Sequence, residues 1–85
     1  MKDYGGDVAR LKAALAAEIS GALKREQLTL RQAQAKTGTS AADFSRIRTT
    51  DLRRFTIDRL MLIINRLGSR IDVAVTVLRA EDFSK

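Results

Sequence analysis

The chain has 85 residues, of which 16 are lysine or arginine and 10 are acidic, giving a net charge of +6; 45% are hydrophobic, and cysteine, histidine and tryptophan are absent. A chain of this length supports one modest core, and without Cys or His neither a disulfide nor an N/S metal site can brace it. Most nucleophile–base pairs are excluded with them, the carboxylates are scattered and no phosphate loop occurs, so the expectation is a protein without enzymatic activity and without a cofactor.

Residues 1–6, with Gly5-Gly6, read as a flexible start. A first helix is expected over residues 7–26, with Asp7 as its N-cap. Val8, Leu11, Leu15, Ile19, Ala22 and Leu23 recur at spacings of three and four as one apolar stripe. Gly21 within it costs about 1 kcal/mol relative to alanine, which marks either a close packing contact or a weak point.

Residues 29–48 hold two short helices. Thr29 and Gln32 form a capping box that opens the first, over residues 30–36. Gly38 follows, where a left-handed residue ends a helix without steric cost. Ser40 caps the second short helix, from Ala41 to about Arg48. Asp43 in its first turn suits the helix dipole, Phe44 and Ile47 point inward, and Ala42, Asp43, Ser45 and Arg46 face out. Residues 49–54 read as a loop. Thr56 then caps a helix over residues 57–67, with Ile57, Leu60, Met61, Ile64 and Leu67 as its apolar set, Ile63 on the flank and Gly68 past its end.

The period then changes from 3.6 to 2. Ile71, Val73, Val75 and Val77 alternate with Asp72, Ala74 and Thr76 over residues 70–78, which predicts a β-strand. Its backbone groups need a partner that the rest of the chain does not offer. The same strand of a second copy, across a two-fold axis, is the first solution, and the edge of another protein's sheet is the second. Residues 80–85 form a polar tail. No window approaches the roughly 18 apolar residues of a membrane span, and MKDYGGD has no apolar stretch of the signal-peptide kind. A cytoplasmic protein is expected, with no membrane partner and no small-molecule substrate.

Two capped helices joined by a glycine turn describe a helix-turn-helix, which lays its second helix in the major groove of DNA. The charge agrees with that reading. Between Lys24 and Arg54 lie eight basic residues and three acids, while the flanks are nearly neutral, as a polyanionic partner requires. Arg46 is the first candidate for base reading, since arginine pairs bidentately with guanine; a phosphate contact or a solvated arginine is the alternative. Ser45 and Ala42 share its face. Asp43 has two readings, a cap-and-dipole role and an acceptor for cytosine. Arg48, Thr49, Arg53 and Arg54 are candidates for phosphate binding. Arg31 and Ser40, at the starts of the two short helices, are further phosphate candidates. Arg59, Arg66 and Arg70 read as surface or interface charges.

The segment LTLRQAQAKTGTSAADFSRI resembles the helix-turn-helix of the Xre/Cro family of bacterial and phage regulators. The likeness is carried by Thr29 as cap, Ala33 at the small position, Gly38 in the turn, and Phe44 and Ile47 in the core. The run RIRTTDLRRFTIDRLMLIINRLGSRIDVAVTV resembles a subgroup in which a Phe-Ser/Thr-(Leu/Ile)-Asp-Arg-Leu segment opens the fourth helix and a hydrophobic strand follows Leu-Gly; many of its members are antitoxins of the HigA type. The resemblance implies a mostly α, four-helix, lambda-repressor-like domain with one C-terminal strand paired across a homodimer. It also implies a repressor of its own operon that binds a palindromic operator in double-stranded DNA, and, for antitoxins, a small basic ribonuclease toxin as a further partner. A stand-alone regulator, or a protein-interaction module with weak DNA binding, remains the alternative. The chain departs from the pattern in three places. Leu30 stands where relatives often carry a phosphate-touching glutamine, so that contact would pass to Arg31, Gln32 or Thr29. Thr37 and Thr39 occupy turn positions that are usually apolar, which would loosen the turn. Ala41-Ala42 replaces polar base-reading groups.

Overall fold

The alanine-rich stretch before Glu26 has high helix propensity, and its apolar spacing gives it one face to bury. In the computed structural model, which describes residues 5–79, it forms α1 (Gly5–Arg25), followed by α2 (Leu30–Thr37), α3 (Ala41–Arg48) and α4 (Ile57–Arg66). α1 packs chiefly on α4 and also on α3, while α2 packs on α3 and α4. The core between them is built from Leu15, Ala16, Ile19, Ala22 and Leu23 of α1, Ala33 of α2, Phe44 and Ile47 of α3, and Leu60, Ile63, Ile64 and Leu67 in and just after α4.

The N-terminal region differs from the sequence-based expectation. Gly5 and Gly6 are helical, so Asp7 lies in the first turn, paired with Arg10, and is not the cap. The remainder of the expected flexible start, residues 1–4, lies outside the described residues, as does the tail over residues 80–85. Val8 and Leu11 are each 47% exposed and do not belong to the core stripe, which runs instead through Ala16. The cause is length. At about 1.5 Å per residue, the 21-residue α1 reaches well beyond the 10-residue α4, and its first two turns overhang. On α4, Ile63 is fully buried and not on the flank, whereas Ile57 and Met61 are only partly covered.

Three of the helices end in the same way. In each, the residue two past the helix end is left-handed, and its amide and the next one close back on the final turn. Gln27 and Leu28 bond to Lys24 and Leu23, Thr50 and Asp51 to Ile47 and Arg46, Gly68 and Ser69 to Asn65 and Ile64. This is the Schellman arrangement. Glycine fits it at Gly68 (φ 97°), but Gln27 (φ 54°) and the β-branched Thr50 (φ 62°) adopt it under strain. Gly21 shows the converse mismatch, a glycine where none is needed. A Cβ there would meet only the flexible guanidinium end of Arg25, at 3.3 Å. Gly21→Ala and Thr50→Gly should therefore each raise stability by about 0.5–1 kcal/mol, read as a higher urea midpoint at unchanged m-value.

The loop after α3 is not merely a connection. Leu52 and Phe55 enter the core, at 8% and 1% exposure, and the Phe55 amide bonds to the Leu52 carbonyl. Beyond α4, residues 69–79 belong to no helix, and among the described residues there is no strand. The strand expected over residues 70–78 is thus not formed among the described residues, because the rest of them are helices and short connections that offer no ladder. Ile71 packs against the core, whereas Val73, Val75 and Val77 are 63%, 77% and 84% exposed.

Candidate nucleic-acid interface

The geometry between α2 and α3 is fixed by short polar links at the turn. The Thr29 hydroxyl accepts from the Gln32 amide at 3.1 Å and the Gln32 side chain accepts from the Thr29 amide at 2.8 Å. At the other end of α2, Gly38 (φ 78°) gives its amide to the Gln34 carbonyl. Thr37 and Thr39 are buried there and tighten the turn, contrary to the loosening expected of them. The Thr37 hydroxyl donates to the Ala33 carbonyl at 2.7 Å and accepts from the Thr39 amide at 3.1 Å, so these groups are satisfied without water. Arg66 reaches over from α4 and donates to the Thr37 carbonyl at 2.9 Å. It is an exposed charge, as expected, that also serves as a cation at the α2 C-terminus.

α3 is opened by Ser40, whose side chain accepts from the Asp43 amide at 3.1 Å. The Ala41 amide, which no intrahelical carbonyl can take, donates to the Gln34 side chain at 3.2 Å. Gln34 thereby ties α2 to the start of α3. With Phe44 and Ile47 buried, helical spacing leaves Ala42, Ser45 and Arg46 together on the outer side; Ala42 and Ser45 are exposed and the Arg46 side chain is 37% exposed.

Asp43 is the centre of the polar contacts behind this face. One carboxylate oxygen accepts from Arg46 at 2.8 Å and the other from Arg59 of α4 at 2.6 Å. The Arg59 guanidinium lies 4.9 Å from the centre of the Phe55 ring, within cation–π range. Asp43 is thus a link between α3 and α4 in addition to its helix-start position, and both oxygens are engaged within the protein, which argues against an acceptor role for cytosine. Arg59 is a structural partner and not a free surface charge. The hydrogen bond from Arg59 holds the Asp43 carboxyl below the usual aspartate value, against the opposing effect of burial and with help from Arg46. Because the folded-state value lies below the unfolded one, the resulting stabilisation is complete above about pH 4 and is lost as pH falls through the folded value. Asp43→Asn should therefore lower stability at neutral pH but make the loss below about pH 4 shallower, as urea midpoints across a pH series will show.

The phosphate candidates separate into two groups. Arg31, Arg48, Arg53 and Arg54 are exposed, and Arg46, Asp51, Arg53 and Arg54 line one cleft beside the end of α3. Asp51 sits among these cations. Its side chain accepts from Arg53 at 3.1 Å, and that bond lowers the Asp51 carboxyl and raises the Arg53 guanidinium. The other three candidates are engaged by the helices they terminate. Gln32 uses its carbonyl in the capping box, leaving its amide group to donate, and Ser40 uses its oxygen as the α3 cap, leaving its proton. Thr49 gives its hydroxyl proton to the Ser45 and Arg46 carbonyls, at 3.1 and 3.2 Å. A phosphodiester needs a donor, so a phosphate contact from Thr49 would require its hydroxyl to turn away from these carbonyls. The proposed pairing residues Ile71, Val73, Val75 and Val77 lie on the segment after α4, apart from this cleft.

Gln34, Arg59 and Arg66 have roles at this site that sequence reading missed. The Asp43–Arg46 spacing of three is a visible helical ion-pair signal, but the 16 residues from Asp43 to Arg59 and the 29 from Thr37 to Arg66 carry none.

Among the described residues no helix is long and apolar enough to cross a membrane. A search of curated proteins and a search of solved structures each return no significant match. Residues 3–76 match the helix-turn-helix domain family. That match spans all four helices and the turn built by Thr29, Gly38 and Ser40, and it supports DNA as the partner: the chain belongs to the helix-turn-helix domain family.

Proposed function

We propose that this chain is a sequence-specific transcriptional repressor, not an enzyme, that binds a palindromic operator as a homodimer. The observation that carries this reading is the exposed Ala42–Ser45–Arg46 face of α3, flanked by the cleft of Arg53 and Arg54. A helix with small residues along one side can approach base edges closely. The arginines beside it supply the sequence-independent attraction that holds register.

Dimerisation is supported by the arm after α4. It is anchored at Ile71, and Val73, Val75 and Val77 are exposed in an alternating row without a ladder partner. A second copy would supply that partner antiparallel across a two-fold axis, and the two α3 helices would then address two half-sites. The narrower proposal, within the Xre/Cro family and its HigA-like subgroup, is that the chain is the antitoxin of a type II operon and also neutralises a small ribonuclease toxin. The resemblance of the fourth-helix segment FTIDRL supports it.

Retardation of the DNA upstream of the gene, measured across a salt series, tests the first proposal; no salt-dependent retardation overturns it. Co-purification with the product of the neighbouring gene tests the second. Unimpaired growth of cells that express that neighbour without this gene overturns the antitoxin role and leaves a stand-alone regulator.

A further inference from the structure

Arg46 is oriented before any DNA arrives. A free arginine on a helix surface samples many rotamers and loses that freedom on binding. Here one terminal nitrogen of Arg46 is held by Asp43 at 2.8 Å, and the opposite oxygen of the same carboxylate is held by Arg59 at 2.6 Å. Arg59 is in turn set over the ring of Phe55, which is 1% exposed and cannot move without disturbing the core. The chain of contacts therefore runs from the core through α4 to the outer face of α3. The remaining donors of Arg46 stay available, since a guanidinium carries five in a fixed plane.

We infer that Arg59 is a positioning residue for base recognition, acting through Asp43 to aim the guanidinium of Arg46. This rests on the DNA-binding reading. It goes beyond it by making specificity depend on a residue whose own contacts are with Asp43 and Phe55. An arginine that contacts phosphate itself would strengthen all duplexes alike, whereas one acting through Arg46 would change only the preference among them.

The experiment uses a duplex selected by the wild-type protein from a randomised library, and a scrambled duplex of equal length. The quantity read is the ratio of the two affinities, which is independent of the fraction of active protein. Arg59→Met should lower this ratio about tenfold, the scale of a lost or misaligned bidentate contact, with little change on the scrambled duplex. Arg59→Lys should restore part of it, because an ammonium can still pair with Asp43 but from a single point. In an Arg46→Ala background, Arg59→Met should cause no further fall. Equal weakening of both duplexes, or an undiminished fall in that background, overturns the positioning role while leaving DNA binding intact. A wild-type protein that retains no duplex overturns the DNA reading and this inference together.

Discussion

Phe55→Ala should destabilise the domain by about 3–5 kcal/mol, a large share of the roughly 5–15 kcal/mol that holds a typical domain together. Phe55 belongs to no helix, yet it is 1% exposed and sits among the residues that close the core beneath α4. Removing its ring leaves a void that neighbouring helices can fill only partly. It also takes away the surface on which the Arg59 guanidinium rests. Phe55→Leu separates these effects. It keeps most of the volume and should cost less than about 1.5 kcal/mol in packing, together with about 0.5–1 kcal/mol for the lost cation–π contact. Urea unfolding followed by circular dichroism reads both variants. A loss below about 1 kcal/mol for Phe55→Ala would mean that the loop after α3 does not brace the core.

The helices and the N-caps of α2, α3 and α4, though not that of α1, were legible because their signals are local. Thr29, Ser40 and Thr56 each precede a helix and each accepts from the amide three residues on, a relation that spacing alone exposes. Gly38 and Gly68 were legible for the same reason. What escaped was either set by shape or by distance along the chain. Leu52 reads as part of the loop over residues 49–54, and Phe55 stands out only through the resemblance of its segment, because neither a period of 3.6 nor one of 2 links them. Thr37 and Thr39 read as polar liabilities because only the folded turn shows their hydroxyl and amide satisfying one another. The C-terminal alternation predicted a strand over residues 70–78 that the described residues do not form, because a strand is a property of two segments and alternation reads only one. At the α3 face proposed to meet DNA, residue types identified the basic rim. They did not reveal that Asp43 engages two arginines, or that Thr49 closes the α3 terminus with the hydroxyl expected to meet phosphate.

Replacing Arg53 and Arg54 together with alanine should reduce affinity for every duplex by at least on the order of 10²-fold at about 0.1 M salt, with little effect on sequence preference. Each arginine seated on a phosphate contributes about 0.9 to the slope of log affinity against log salt, so the proposed dimer, losing two per subunit, should show a slope flatter by about 3.6. Both side chains are exposed and line the cleft that also holds Arg46 and Asp51, and neither supports the core, so the folded state should be nearly unaffected. This distinguishes the pair from Phe55→Ala, which would reduce binding through the unfolded fraction and leave the salt slope of the remaining folded protein unchanged. The carboxylate in the cleft supplies a test of opposite sign. Asp51 now pairs with Arg53 at 3.1 Å and would repel an approaching phosphate. Asp51→Asn should therefore strengthen non-specific binding, and the gain should fade as salt screens the cleft. An Asp51→Asn protein that binds random duplex no better than the wild type at low salt would place the phosphate backbone away from this cleft.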